Sequence, residues 1–119
     1  MKVLICEDEE VLMTALELRL RKGGFEVEII AAENSIAEYI LRVAPALVII
    51  SLGTLKESAA DLLINVQKNQ KHPVPFIVIG DTDQGEILLS LLKKGASDFM
   101  IKPFKTAELV LRIRKVLDN

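Results

Sequence analysis

The stretch Val3-Leu4-Ile5-Cys6-Glu7-Asp8-Glu9-Glu10 passes from four apolar residues directly into four carboxylates. A short apolar run without polar alternation is what a strand buried on both faces requires. Short, largely apolar and β-branched runs recur from Phe25 to Ala31, Leu47 to Ile50, Phe76 to Ile79 and Asp98 to Ile101. Helical periodicity fills the intervals. The first helix is expected from about Glu9 to Lys22, with Val11, Ala15 and Leu18 on one stripe and Gly23-Gly24 as its stop. Ser35 with Glu38 reads as a capping box opening a second helix, whose stripe is Ile36, Ile40 and Val43 and which Pro45 follows. A third, around Ala59 to Asn69, carries Leu62, Leu63 and Val66. The fourth carries Ile87, Leu88, Leu91 and Leu92 and stops at Gly95; the fifth follows Pro103 and carries Leu109, Ile113, Val116 and Leu117.

Five strand–helix alternations with short connections predict a parallel sheet covered by helices on both faces, because parallel neighbours need right-handed crossovers. The expected fold is an α/β three-layer sandwich, a flavodoxin-like (βα)5 arrangement with strand order 2-1-3-4-5. In such sheets ligands bind beyond the carboxyl ends of the strands, at the switch point between strands 1 and 3. That rule selects Glu7 and Asp8, Ser51 to Ser58, Gly80 to Asp83, and Lys102-Pro103.

Composition narrows the class. The 119 residues make one domain, 1–119, half apolar and 27% charged, and no apolar run nears the ~20 residues of a membrane span. The start turns acidic too early for a secretory signal, so a cytoplasmic home is expected and no membrane partner. Net charge is −2, against the clustered Lys and Arg that direct nucleic-acid binding needs. Residues 1–60 hold 6 basic and 10 acidic side chains and residues 61–119 hold 9 and 7, a spread that solvated helix faces accommodate. The single cysteine, Cys6, has no internal disulfide partner and is expected as a buried strand thiol. His72, the one histidine, falls in a polar connection and is expected to be a loop residue.

Nucleotide-binding members of this fold class cradle phosphate with a Gly-rich or hydroxyl-rich first loop. Here that loop is acidic, which repels bare phosphate and suits a hard divalent cation. The same acids also suit the N-terminus of the first helix, where the helix dipole stabilises negative charge. Position alone leaves both readings open.

The residues Val3-Leu4-Ile5-Cys6-Glu7-Asp8-Glu9, Gly24-Phe25, Pro45-Ala46-Leu47-Val48-Ile49-Ile50, Gly95-Ala96-Ser97-Asp98-Phe99 and Lys102-Pro103-Phe104 together resemble the receiver domain of response regulators, over essentially the whole chain. The resemblance implies two-component or phosphorelay signalling. In that family two acids after strand 1 and an aspartate ending strand 3 hold Mg²⁺, and the aspartate takes a phosphoryl group from phosphohistidine. A Thr or Ser ending strand 4, and a Lys before a cis proline, then grip the phosphoryl oxygens. Carried over, the acid pair is Glu7 and Asp8, the phosphoryl-sensing lysine is Lys102, the cis proline is Pro103 and the switch aromatic is Phe99.

Two central positions depart from the family. Ser51 stands where the phosphoacceptor aspartate would be, and Gly80 where the Thr or Ser would be. A serine hydroxyl is neutral and, without an adjacent base, a weak nucleophile. No catalytic residue and no cofactor are therefore expected; Mg²⁺ would bind only if a vestige of the site at Glu7 and Asp8 still holds it. Lys102, lacking its usual anionic partner, is expected to pair with Asp8 or Glu7. The leading reading is a pseudo-receiver, not an enzyme, serving a signalling protein or output domain. Its alternative is phosphotransfer to an atypical acceptor, Ser51, Asp81 or Asp83.

Phe99 is expected to be fixed inward, into space that Gly80 leaves open. The resemblance also implies a partner face on helix 4, strand 5 and helix 5, with Leu89, Leu92 and Val110 at its centre and Leu88 enlarging it. Asp98, Glu108, Arg112 and Arg114 ring that centre. A symmetric homodimer would set Asp98 of one subunit against Arg112 of the other; a different partner on the same face is the other outcome.

Overall fold

All five apolar runs form strands in the computed structural model, which describes residues 1–30, 36–55, 58–68 and 72–118. The strands are β1 (Lys2–Cys6), β2 (Glu26–Ile29), β3 (Leu47–Ser51), β4 (Phe76–Gly80) and β5 (Asp98–Ile101). The helices between and after them are α1 (Glu10–Lys22), α2 (Ile36–Val43), α3 (Ala59–Gln67), α4 (Gly85–Lys93) and α5 (Thr106–Asp118). The sheet order is β2-β1-β3-β4-β5 with every neighbouring pair parallel, the flavodoxin-like arrangement. Ser35, Ala31 and Asn69, to which the sequence assigns a cap, a strand end and a helix end, lie outside the described residues.

Strand alternation sends successive side chains to opposite faces. Leu4, Cys6, Val48, Ile50 and Val78 meet Ile36 and Ile40 of α2, Leu62, Leu63 and Val66 of α3, and Leu88 and Leu91 of α4. Val3, Ile5, Leu47, Ile49, Ile77 and Ile79 meet Leu16 and Leu20 of α1 and Leu109 and Ile113 of α5. β3 and β4 are buried along their whole length, the condition their uninterrupted apolar sequence requires. No helix among the described residues is long and apolar enough to cross a membrane.

The face that α1 buries differs from the expected one. Leu16 and Leu20 are buried with Leu12 packed beside them, whereas Val11, Ala15 and Leu18 point outward. Two apolar stripes compete on this helix, and three leucines at i, i+4 and i+8 remove more apolar surface from water than a Val–Ala–Leu set. On α4, Ile87 likewise faces solvent while Leu88 and Leu91 are buried. The stop after α1 forms as its glycines require: Gly24 has φ +91, and Phe25 N–H donates to the Leu20 carbonyl at 3.1 Å.

Candidate functional site

Parallel register brings the strand carboxyl ends to one rim, since Cys6 pairs with Ile50, Ser51 with Ile79 and Gly80 with Ile101. Glu7 follows β1 with its side chain fully buried. Its Oε2 accepts the backbone N–H groups of Asp8 at 2.9 Å and Glu9 at 3.0 Å. The carboxylate thus folds back over the entrance to α1, where donors without intrahelical partners gather. Its Oε1 forms an ion pair with Lys102 Nζ at 3.0 Å, and among the described residues no other donor reaches that oxygen.

Lys102 also donates to Glu9 Oε2 at 2.9 Å. Partial burial pulls the ammonium pKa down, but the contacts with Glu9 and Glu7 outweigh it and hold the pKa above the ordinary lysine value. Of the two expected partners, Glu7 makes the pair and Asp8 stands exposed; Glu9, which the sequence reading did not single out, completes it. The available signal was the acidic run itself, since an acid immediately before the first helical residue projects along the rim. The Lys102–Pro103 peptide is cis, and Lys102 N–H donates to the Gly80 carbonyl at 2.9 Å.

Ser51 ends β3 and is only 4% exposed. The chain then makes a short 3-10 turn, Leu52–Thr54, and Thr54 Oγ1 donates back to the Ser51 carbonyl at 2.7 Å. The same hydroxyl lies 3.5 Å from Cys6 Sγ, so buried Thr54 ties the ends of β1 and β3 together. Burial pushes the Cys6 thiol pKa up, and the nearby Glu7 and Asp8 charges push the same way against the Thr54 hydrogen bond. An inert structural thiol follows.

At Gly80 the expected open space is filled. A methyl group built there would meet Gln84 Oε1 and one Leu88 methyl at 3.1 Å and the other Leu88 methyl at 3.2 Å. Gln84 is fixed by accepting the Asp81 N–H at 2.7 Å, and Leu88 is 0% exposed. Leu88 therefore belongs to the core and not to a partner face. Phe99 is half-buried and packs against the cluster that contains Leu88. Asp81, Asp83 and His72 are exposed.

The β5–α5 surface departs from expectation in two further ways. Arg112 Nη1 grips both oxygens of Asp98 in its own chain, at 2.9 and 3.0 Å, and its Nη2 reaches Glu108 at 3.5 Å. Those contacts, Asp98 foremost, raise the Arg112 pKa. Arg112 thus has an acidic partner within its own chain. Arg114 lies over the Phe25 ring at 5.3 Å and close to Gly23, on the α1 side of the molecule. Leu89 is 55% exposed, Glu108 is exposed, and Leu92 and Val110 are half-buried.

Residues 3–114 match the family model described as response regulator receiver domain. The chain is similar to the sensory transduction protein RegX3 of Mycolicibacterium smegmatis, 32% identical over 115 residues, 97% of this chain and 50% of that protein. It therefore spans about half the length of that relative. Among solved structures, the receiver domain of NtrX from Brucella abortus is 28% identical with a TM-score of 0.83, each chain covered to 98%. The BeF3-activated N-terminal receiver domain of RstA from Klebsiella pneumoniae has the same fold at 23% identity, with full coverage of both chains and a TM-score of 0.84.

Proposed function

From the premise that this chain belongs to the response regulator receiver domain family of two-component signalling, we propose that it is a receiver-like interaction module read by partners without phosphotransfer. The observation that carries the reading is Lys102 held between Glu7 at 3.0 Å and Glu9 at 2.9 Å. The pocket's cationic side chain is already engaged by its own acids, with no phosphoryl oxygen needed to place it.

Three features of the rim support this. Ser51 offers a buried neutral hydroxyl where a carboxylate would serve as both metal ligand and nucleophile. The donor set fits Mg²⁺ poorly: Glu7 Oε2 is taken up by two backbone amides and Oε1 by an ammonium, leaving exposed Asp8 as the free carboxylate of the pair. Among the described residues, no three His, Cys, Asp or Glu side chains converge on one metal position. Beside Gly80, Leu88 and Gln84 fill the volume through which a phosphoryl-following hydroxyl would move. The partner is a signalling protein or an output domain. Its contact surface is the α4–β5–α5 face, reduced to exposed Leu89 and Glu108 with Leu92 and Val110 at the margin.

Titration with Mg²⁺ and beryllofluoride, a phosphoryl mimic, followed by amide NMR, tests the reading. The amides of Ser51, Gly80 and Lys102 are expected to stay in place through low-millimolar ligand. Saturable shifts at those three positions would overturn it.

A further inference from the structure

A cavity of about 510 Å³ lies between the start of α3 and the length of α4, within the size range of binding sites. Leu52 and Leu55 of the connection after β3, Ala59 and Ala60 of α3, and Ile87 and Leu91 of α4 supply its apolar lining. The two alanines are too short to close the gap across to α4. Leu91 is buried, but Ile87 is 51% exposed while its neighbour Leu88 is fully buried. A single exposed isoleucine needs no explanation. One that walls a cavity together with other apolar side chains offers a seat for an apolar group.

The polar lining is ordered. Glu86, Ser90 and Lys94 border the cavity at i, i+4 and i+8, along one side of α4. The acid and the base are therefore about 12 Å apart along the helix axis. Both are exposed, and neither forms an ion pair among the described residues. An acid in the first turn and a base past the last suit the helix dipole, which leaves both charges open to a ligand. Ser90 lies between them, and Ser58 faces the same cavity from the start of α3. Ser58 Oγ accepts the Asp61 N–H at 3.4 Å and keeps its own proton to donate. A phosphorylated ligand would meet one lysine and one repelling glutamate, and a plain hydrocarbon chain would leave both hydroxyls unmatched. Peptide groups match them. An extended chain rises about 3.3 Å per residue and turns every second side chain to one face, so residues i and i+4 stand about 13 Å apart on the same side with i+2 between them.

We infer that this groove docks an extended segment of a partner protein, with an apolar residue seated against Ile87 and Leu91 and, two residues to either side, a base facing Glu86 and an acid facing Lys94. Leu89 falls on the opposite side of α4, so the groove is distinct from the α4–β5–α5 face. The inference is also independent of whether the carboxyl-end rim takes a phosphoryl group. The contact is small and its ion pairs are exposed, so binding is weak and the charges select the segment more than they tighten it.

Amide NMR titration of the whole chain with the end-capped peptide Lys-Thr-Phe-Thr-Asp gives the test. The Ala60, Ile87 and Leu91 amides are expected to shift saturably at low-millimolar peptide or below. Replacing the Phe of the peptide by Ala should weaken binding at least ~10-fold, as loss of a buried ring does. Lys-Thr-Phe-Thr-Lys and Asp-Thr-Phe-Thr-Asp should each bind about fivefold more weakly, because a like-charge contact replaces one ion pair. The preference then follows the charges of the groove, whichever way the peptide runs. Glu86→Lys makes Asp-Thr-Phe-Thr-Asp the tightest of the three, and Lys94→Glu makes Lys-Thr-Phe-Thr-Lys the tightest. Leu89→Asp leaves binding unchanged. The substituted side chains are exposed, and circular dichroism checks that each variant is folded. Absence of saturable binding, shifts centred on other residues, or loss of binding with Leu89→Asp would each overturn the inference. Binding that needs the Phe but ignores the end charges in both charge variants would overturn it as well, by pointing to a small apolar ligand in place of a protein segment.

Discussion

Lys102 is the residue on which the account turns, because it neutralises a carboxylate that the fold has removed from water. Replacing it with Met leaves buried Glu7 Oε1 without a counter-charge, a change expected to cost about 1–3 kcal/mol in urea unfolding, with recovery in the Glu7→Gln/Lys102→Met double variant. Little or no destabilisation would mean that Glu7 is compensated some other way. The pH dependence has a definite sign. The folded pKa of Lys102 lies above the ordinary 10.5, so its contribution is complete below that pH and fades as pH rises through the folded value. Wild type should therefore lose stability above about pH 10.5 more steeply than Lys102→Met. Gly80→Thr drives a side chain into Leu88 and Gln84 and is expected to cost about 1–3 kcal/mol, partly relieved by Leu88→Ala. The differences at Ser51 and Gly80 are readable in the sequence, since each breaks a run that otherwise fits the family. The roles of Glu9, Thr54 and Leu88 are not, because each depends on which way a side chain turns at the end of an element.

Among the elements, α1 shows why a periodic pattern fixes a helix but not its orientation. Its boundaries follow from the sequence within one residue, because Gly23-Gly24 supplies a positive-φ stop that other residues adopt at a cost. Its buried face does not, since the Leu12–Leu16–Leu20 and Val11–Ala15–Leu18 stripes both have helical spacing. Leu16→Ala is expected to cost about 2–5 kcal/mol, whereas Val11→Ala should stay within about 0.5 kcal/mol. Thermal unfolding of the two variants separates the assignments, and equal effects would contradict the observed orientation. α4 carries a related lesson: Leu88 packs beside Gly80 and is buried with Leu91, so it does not belong to the surface. On α5, Arg112 has an acid within reach on its own β5, so a charge pattern alone does not tell an internal pair from one between subunits.

For the whole molecule, strand–helix alternation is the robust signal. The alternation predicts a parallel sheet covered on both faces, and five strands suggest the order 2-1-3-4-5, which is the order observed. What such a rim does is decided by a few side chains, and here these are a serine, a glycine and a lysine already bound to two acids. The most direct test is incubation of the whole chain with a small-molecule phosphodonor and Mg²⁺, followed by intact-mass measurement, with a receiver domain that retains its acceptor aspartate run alongside. The mass of this chain is expected to remain unchanged while the comparison domain is modified; the gain of one phosphoryl group, at Ser51, Asp81, Asp83 or any other residue, would contradict the account.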